Sequence, residues 1–452
     1  MSITGSEQWM YNAGSFYDYP IEQSIRIPSG TALKNDTVAN TTRTYDSAKI
    51  FTYSFWTKLQ GNAVNIISLN DTPANGEFAI QYGTDNKFIV YSNGQFNGRT
   101  SATFTDFSAW YHVCLVMDTT QATAANRARL YINGTLYSLT AQPSQNLNIK
   151  AFTTATRGAI GARYQDNGTI NYQASGGSVL LAEFIYSDGV KHEPTVFGED
   201  KDGVWIPKDA SSIAIGTNGY HLDFSDQTIN TSATSNTGFG KDIRNNQPNP
   251  QWIAVGGLAV HDGMDDTPTK NYCNLNPANN NNTLSQNNLV AVTATNTNSA
   301  GTLAVSSGKW YYEALIVTEG GDHPFVGFAL SSASFVGSTS SFVNGTSEWV
   351  GNGGLSNGDV VGLGINLDTN IFYARINGAT TTFRSSLNVT AGEYVPAISG
   401  VNSQIRVNFG QEGTFAGQIT AGGNSDANGY GDFKYPVPSG YLALNLTNRD
   451  YF

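Results

Sequence analysis

The chain has 452 residues, a formal charge of −11 and only 13% charged side chains, against about 25% in ordinary globular proteins. This acidic, charge-poor composition excludes a broad phosphate-binding surface, which needs clustered Lys and Arg, so nucleic acid is not an expected partner. Hydrophobic residues at 39% and aromatics at 12% exclude a disordered chain, because they supply enough apolar surface for packed cores. Glycine is abundant, at 48 residues, and turn formers, hydroxyls and amides stand where charges usually do, so β structure is expected. At about 150 residues per domain the length allows three units, fewer if large sandwiches are involved, and two large domains plus connections are expected.

The N-terminus, MSITGSEQWMYNAG, has neither the basic start nor the apolar core of a signal peptide. No apolar run approaches the ~20 residues of a membrane span, so a soluble chain without membrane insertion or conventional secretion is expected. Cys114 and Cys273 stand in unrelated contexts, which leaves no disulfide framework or cysteine metal cluster.

Residues 1–20 hold Trp9, Tyr11, Phe16, Tyr17 and Tyr19 with little alternation. Such an aromatic arm either anchors in a neighbouring subunit, where aromatic side chains carry much of the interface energy, or packs on the edge of its own sandwich.

From 21 to 200, short alternating runs are separated by Gly, Asn, Asp and Ser, the pattern of an antiparallel β-sandwich. In FTYSFWTK, Phe51, Tyr53 and Phe55 share one face, while Thr52 and Ser54 share the other. WYHVCLVMD is almost continuously apolar, as a strand covered on both faces would be. GSVLLAEFIYSDG is expected to alternate, with Leu180, Ala182, Phe184 and Tyr186 on one face and Val179, Leu181, Glu183 and Ile185 on the other. ARLYINGTLYS breaks at Asn133-Gly134, the pair favoured by a two-residue hairpin whose central residues both have positive φ.

Residues 201–285 contain DGVWIPK, GTNGYHLDFSDQ and QWIAVGGLAVHDGMDDTPTKNYCNLNP. Their aromatics are too frequent for a flexible linker, so an ordered connector laid along both sandwiches is expected. Residues 286–452 form a second β set: GKWYYEALIV, FVGFAL, GDVVGLGINLDTNIFYARING, EYVPAIS and IRVNFGQ, with a second Asn-Gly turn at Asn377-Gly378. A Gly-rich insertion, EGTFAGQITAGGNSDANGYGD, precedes FKYPVPSGYLAL and leaves the path of the last strand open.

FTYSFWTK, SAWYHVCLVMDTT, ARLYINGTLYS, IGARY and GSVLLAEFIYSDG, in that order, resemble laminin-G-like, concanavalin A-like jelly rolls over most of residues 21–200. The second set, from GKWYYEALIV to IRVNFGQ, resembles the SPRY domain, another concanavalin-like sandwich. With GTNGYHLDFSD and DDTPTKNYCNLNP between them, the order of segments resembles virion proteins of tailed bacteriophages, of the tail-fibre or receptor-binding type. The resemblance implies an all-β chain of two concanavalin A-like antiparallel β-sandwiches joined by an ordered connector. It also implies assembly in a host cytoplasm, a place in the virion tail or fibre, and partners among other virion proteins and a host surface glycan or receptor. In that setting Trp9, Tyr11, Phe16, Tyr17 and Tyr19 are candidates for anchoring in the virion. Homo-oligomers, trimers included, are common among phage fibres; without a heptad run, trimerisation here falls to the sandwich faces or to another protein. Laminin-G-like domains often bind calcium at a sandwich rim, which makes Asp71, Asp118 and Asp166 the candidate calcium ligands; no other cofactor is expected.

Catalysis has little foothold. Glycoside hydrolysis needs two carboxylates flanking a cleft, and the strand acids Glu183 and Glu313 stand alone, without the E-x-D-x-x-E string of concanavalin-like glycosidases. Both are expected to be hydrogen-bonded strand residues. His112, His192, His221, His261 and His323 lack metal-ligand spacing, and HDGMDD at 261–266 reads as a turn of acidic caps. Recognition remains, through loops that offer aromatics beside amides and carboxylates. RYQDNGTINY supplies Tyr164, Asp166, Asn167 and Tyr172 beside Arg163; EGGDHP and SEWVGNGG supply Asp322, His323, Trp349 and Asn352. A non-enzymatic, receptor-binding virion protein is the leading expectation, followed by a structural virion subunit and then a polysaccharide-degrading enzyme.

Overall fold

The computed structural model describes residues 16–35, 45–61, 63–71, 76–152, 156–165, 169–171, 177–232, 234–244, 252–295, 297–333, 347–351, 354–379, 383–386 and 392–449. The fold is all-β, with two antiparallel sandwiches of concanavalin A-like, jelly-roll type. Among the described residues no helix is long and apolar enough to cross a membrane.

In the first sandwich, one sheet runs Thr135–Tyr137, Ala128–Ile132, Trp110–Asp118, Ile50–Leu59, Val179–Asp188, Ser24–Ile27, Gly263–Met264, and Tyr220–Leu222 also pairs with Val179–Asp188. The facing sheet runs Ile253–Val255, Ala32–Asn35, Thr156–Ile160, Val64–Asp71, Phe78–Tyr82, Phe88–Ser92, Phe96–Arg99. Alternate side chains enter the core between them: Phe51, Tyr53 and Phe55 from one sheet meet Phe78, Ile80 and Val90 from the other. The strand Trp110–Asp118 is buried throughout, because Cys114 and Val116 on its outer face are covered by Phe197, Ala210 and Ile215.

The alternation expected for 179–186 is corrected. Val179 and Leu181 face the core, and so do Phe184 and Tyr186, whereas Leu180 and Ala182 face the second sandwich. The side-chain period slips because the register shifts between Ala182 and Ile185, where Glu183 takes φ of 48°. A bulge of this kind moves every later side chain to the opposite face.

The second sandwich has a five-stranded sheet, Leu275–Asn280, Thr297–Gly301, Tyr394–Val401, Asp322–Leu330, Ser347–Val350. Its partner sheet runs Thr283–Ser285, Val290–Val292, Gln404–Asn408, Lys309–Thr318, Val360–Asn366, Ile371–Ile376, Phe383–Ser386. The chain after the Gly-rich insertion returns as Leu442–Ala443, parallel to Lys309–Thr318. Glu313 fastens that return: its carboxylate accepts the backbone N–H groups of Lys434 and Tyr435 at 2.7 and 2.9 Å and the Tyr311 hydroxyl at 3.1 Å.

Residues 201–285 supply strands to both sandwiches: Tyr220–Leu222, Ile253–Val255 and Gly263–Met264 to the first, Leu275–Asn280 and Thr283–Ser285 to the second. The two cores meet through Trp56, Trp110, Leu180, Ala182 and Met264, which share one apolar cluster with Cys273, Leu275, Trp310 and Tyr312. The HDGMDD turn lies at this junction. Asp262 caps the backbone N–H of Ala259 at 2.9 Å and pairs with the buried Arg26 at 3.0 Å.

Candidate functional site

A groove of about 640 Å³ lies on the outer face of the seven-stranded sheet of the first sandwich. Alternation builds its floor. Phe78, Ile80, Phe88 and Val90 point into the core, so Gln81 and Tyr91 on the same strands point outward. Strand register sets Asn65 opposite Gln81 and Tyr91 opposite Asn97. Gln81 Nε2 donates to Asn65 Oδ1 at 2.5 Å. One wall is the short ribbon Arg163–Tyr164 paired with Ile170–Asn171, which contributes Arg163 and Asn171 to the lining. Arg163 lies across Glu77 in a two-pronged pair, Nε to Oε1 at 2.8 Å and Nη2 to Oε2 at 2.6 Å. The Glu77 side chain is only 1% exposed and that of Arg163 is 44% exposed. Such charge-assisted, bidentate geometry fixes the guanidinium in place. The result is a polar trough of amides, the tyrosines Tyr82 and Tyr91 and one neutralised ion pair, open to solvent.

The segment RYQDNGTINY therefore borders a groove, but through Arg163 and Asn171. Tyr164 is corrected as a ligand contact: it is fully buried against Ala32, Ala159 and Ala162, because on a two-residue strand Arg163 and Tyr164 must take opposite directions. Asp166, Asn167 and Tyr172 lie outside the described residues, as do Asn352 and the side chains of Asp71, Asp322 and His323. Trp349 lies on the edge strand Ser347–Val350 and packs edge-to-face on Phe325 at 4.6 Å. It is far from the groove in the fold, on the other sandwich.

Where it is described, the aromatic arm packs on its own chain, one of the two arrangements open to it. Tyr19 donates its hydroxyl to Glu183 at 3.2 Å, Lys201 sits 5.6 Å over the Phe16 ring and pairs with Asp18 at 3.4 Å, and Phe16 packs edge-on to Tyr17. Phe16, Tyr17 and Tyr19 thus engage their own chain, since the buried Glu183 offers the tyrosine an acceptor. Trp9 and Tyr11 lie outside the described residues.

Asp118, a candidate calcium ligand, has its carboxylate engaged by protein donors. It accepts from Thr120 Oγ1 at 2.5 Å, Gln121 at 2.7 Å and Lys191 at 3.0 Å. Burial alone would raise its carboxyl, but the donors Thr120, Lys191 and Gln121 outweigh it and hold the group below the usual carboxylate range. Among the described residues no group of three or more His, Cys, Asp or Glu could hold a metal ion.

A second cleft, of about 610 Å³, follows the junction of the sandwiches beside Trp56, Trp110, Trp205 and Tyr17. Its indoles serve the fold: Trp110 Nε1 donates to Asp266 at 3.0 Å and Trp205 Nε1 to His112 Nδ1 at 3.0 Å. With Nδ1 accepting, His112 Nε2 carries the proton and donates to Ser54 Oγ at 2.8 Å. Burial pushes this imidazole down to about 3. His112 is a neutral structural residue.

Residues 33–175 match the family described as the concanavalin A-like lectin/glucanases superfamily, and those residues contribute every floor strand of the groove. No curated protein matches the chain. Similar solved structures include the SPRY domain of human HERC1, at 13% identity over 29% of this chain and 96% of that one, with a TM-score of 0.25. A heptameric SAP-like pentraxin from Limulus polyphemus is similar at 16% identity over 39% of this chain and 81% of that one, TM-score 0.29. The CBM40 of the Ruminococcus gnavus IT-sialidase, bound to α2,3 sialyllactose, is similar at 15% identity over 36% of this chain and 92% of that one, TM-score 0.25.

Proposed function

We propose that the chain is a non-enzymatic carbohydrate-binding protein of a tailed-phage virion, associated with the tail or its fibres, whose first sandwich holds a host surface glycan. The observation that carries this reading is the groove: Asn65, Gln81, Tyr91, Asn97 and Asn171 line one open trough. Amides both donate and accept, which suits sugar hydroxyls, and a tyrosine ring suits the C–H face of a pyranose. Glu77 is the single carboxylate among the described lining residues and is held by Arg163, whereas glycoside hydrolysis uses two carboxyl groups about 5–10 Å apart across the scissile bond. The virion setting is supported by the order of segments, two sandwiches bracketing GTNGYHLDFSD and DDTPTKNYCNLNP.

The test is binding of purified protein to host cells before and after periodate oxidation of their surface glycans. Periodate-sensitive binding that is weakened about tenfold in Tyr91→Ala is expected. Binding by folded protein that survives both treatments would sink the reading.

A further inference from the structure

Resting on the carbohydrate-binding reading, we propose that the groove selects uncharged sugars, neutral hexose and N-acetylhexosamine units, over sialylated or uronate-bearing ones.

A sugar carboxylate needs a cation or a set of convergent N–H donors to replace its hydration. Arg163 is the single cation among the described lining residues. The Nε/Nη2 edge of its guanidinium, one of the two that could receive a carboxylate as a fork, already faces Glu77, at 2.8 and 2.6 Å. A carboxylate that took this edge would have to displace Glu77, whose side chain is 1% exposed, and one that approached the Nη1/Nη2 edge would meet a guanidinium whose charge Glu77 already neutralises. Displacing Glu77 would strand a buried charge without its partner, a strongly unfavourable state.

The next cation along the groove is neutralised in the same way. Gly83 lines the groove, and a Cβ at Gly83 would lie 2.6 Å from Asp85 Oδ1 and 3.6 Å from Arg99 Nη1. Those two groups pair with each other at 2.8 Å. The net charge of −11 further disfavours approach of polyanionic glycans.

The uncharged polar groups, by contrast, are available. The Gln81–Asn65 bond uses one donor and one acceptor, leaving the Gln81 carbonyl and a hydrogen of the Asn65 amide for a ligand. Asn97 and Asn171 are exposed at the two sides. Donors and acceptors of this kind match hydroxyl and acetamido groups without requiring a charge.

The experiment is calorimetric titration of the full chain with matched pairs: N-acetyllactosamine against its α2,3-sialylated form, and chitotriose against a hyaluronan tetrasaccharide. The neutral member is expected to bind about tenfold more tightly or better. Glu77→Gln removes the internal carboxylate and frees the Arg163 fork, and should narrow or reverse that preference while leaving the melting temperature near wild type. The wild-type comparison stands whether or not the variant folds. Equal or tighter binding of the acidic members overturns the selectivity but leaves the glycan reading intact; failure of every saccharide to bind overturns both.

Discussion

The Lys58 ammonium lies 2.7 Å from the Asp266 carboxylate with both side chains fully buried, at the point where the acidic turn of residues 261–266 meets the first sandwich. The remaining donors of Lys58 go to Asn271 Oδ1 at 2.8 Å and the Tyr272 carbonyl at 2.7 Å, and the second oxygen of Asp266 takes the Trp110 indole at 3.0 Å. A lysine from one sandwich thereby holds the start of the chain that leads into the other.

Satisfied buried pairs contribute little net stability, but removing one partner leaves a charge with no solvent. Asp266→Ala is therefore expected to cost ~3–5 kcal/mol, and Lys58→Met combined with Asp266→Leu distinctly less. Chemical denaturation of both variants measures this. A double variant as unstable as the single one would mean that the junction depends on packing around Asp266 rather than on the pair.

Glu313 gives the second sandwich a pH dependence. Burial pushes its carboxyl up to about 7, against the lowering effect of the Lys434 and Tyr435 N–H groups and the Tyr311 hydroxyl. The folded chain therefore holds a proton that the unfolded chain has released between about pH 4.5 and 7. Stability tied to this group is fully present below that window, falls as pH rises through it, and is flat above it, a change on the order of 3 kcal/mol. Thermal melts from pH 4 to 8 should show this decline in wild type and a shallower one in Glu313→Gln. Parallel profiles would rule out Glu313 as the source.

The two Asn-Gly turns show what sequence makes legible. Asn133 and Gly134 have φ of 48° and 73°, Asn377 and Gly378 of 51° and 67°, as a two-residue turn between twisted strands demands. Each asparagine also repeats one arrangement: Asn133 Oδ1 accepts from the His112 N–H at 2.7 Å and Asn377 Oδ1 from the Val360 N–H at 2.9 Å. Turn chemistry and strand alternation are local, so both sandwiches could be read from short segments. The bulge at Glu183 could not, because a glutamate at positive φ carries no local signal. Nor could the groove, which needs strand register to oppose Asn65 and Gln81 and a tertiary contact to bring Arg163 onto Glu77, 86 positions away. The signal that was present, amides and a tyrosine at the outward positions of FAIQY, FIVYS and FNGR, acquires meaning only once those strands are known to be neighbours.

Gly134→Val and Gly378→Val should each destabilise their own sandwich. A new Cβ would lie 2.3 Å from the Trp205 ring at Gly134 and 2.5 Å from the Tyr435 ring at Gly378, and a β-branched residue resists positive φ at a cost of roughly 1–3 kcal/mol before any clash. Lower unfolding midpoints in both variants are the expected result. A wild-type midpoint in either would mean that its turn adopts another conformation.

Glu183→Gln separates the groove from the buried acid on the opposite sheet. Glu183 accepts from Tyr19 at 3.2 Å and lies 2.5 Å from His221 Nε2, on the strand Val179–Asp188, which belongs to the other sheet of the sandwich from the groove strands. The substitution keeps a carbonyl for Tyr19 or His221 and should leave saccharide affinity unchanged, while Tyr91→Ala lowers it about tenfold, the equivalent of ~1.4 kcal/mol of lost aromatic contact. Titration of both variants with one neutral oligosaccharide decides the matter. If Glu183→Gln abolished binding, or uncovered a hydrolytic activity in the wild type that the variant lacks, the functional surface would have to be moved from the seven-stranded sheet to the face that carries Tyr19, Glu183 and His221.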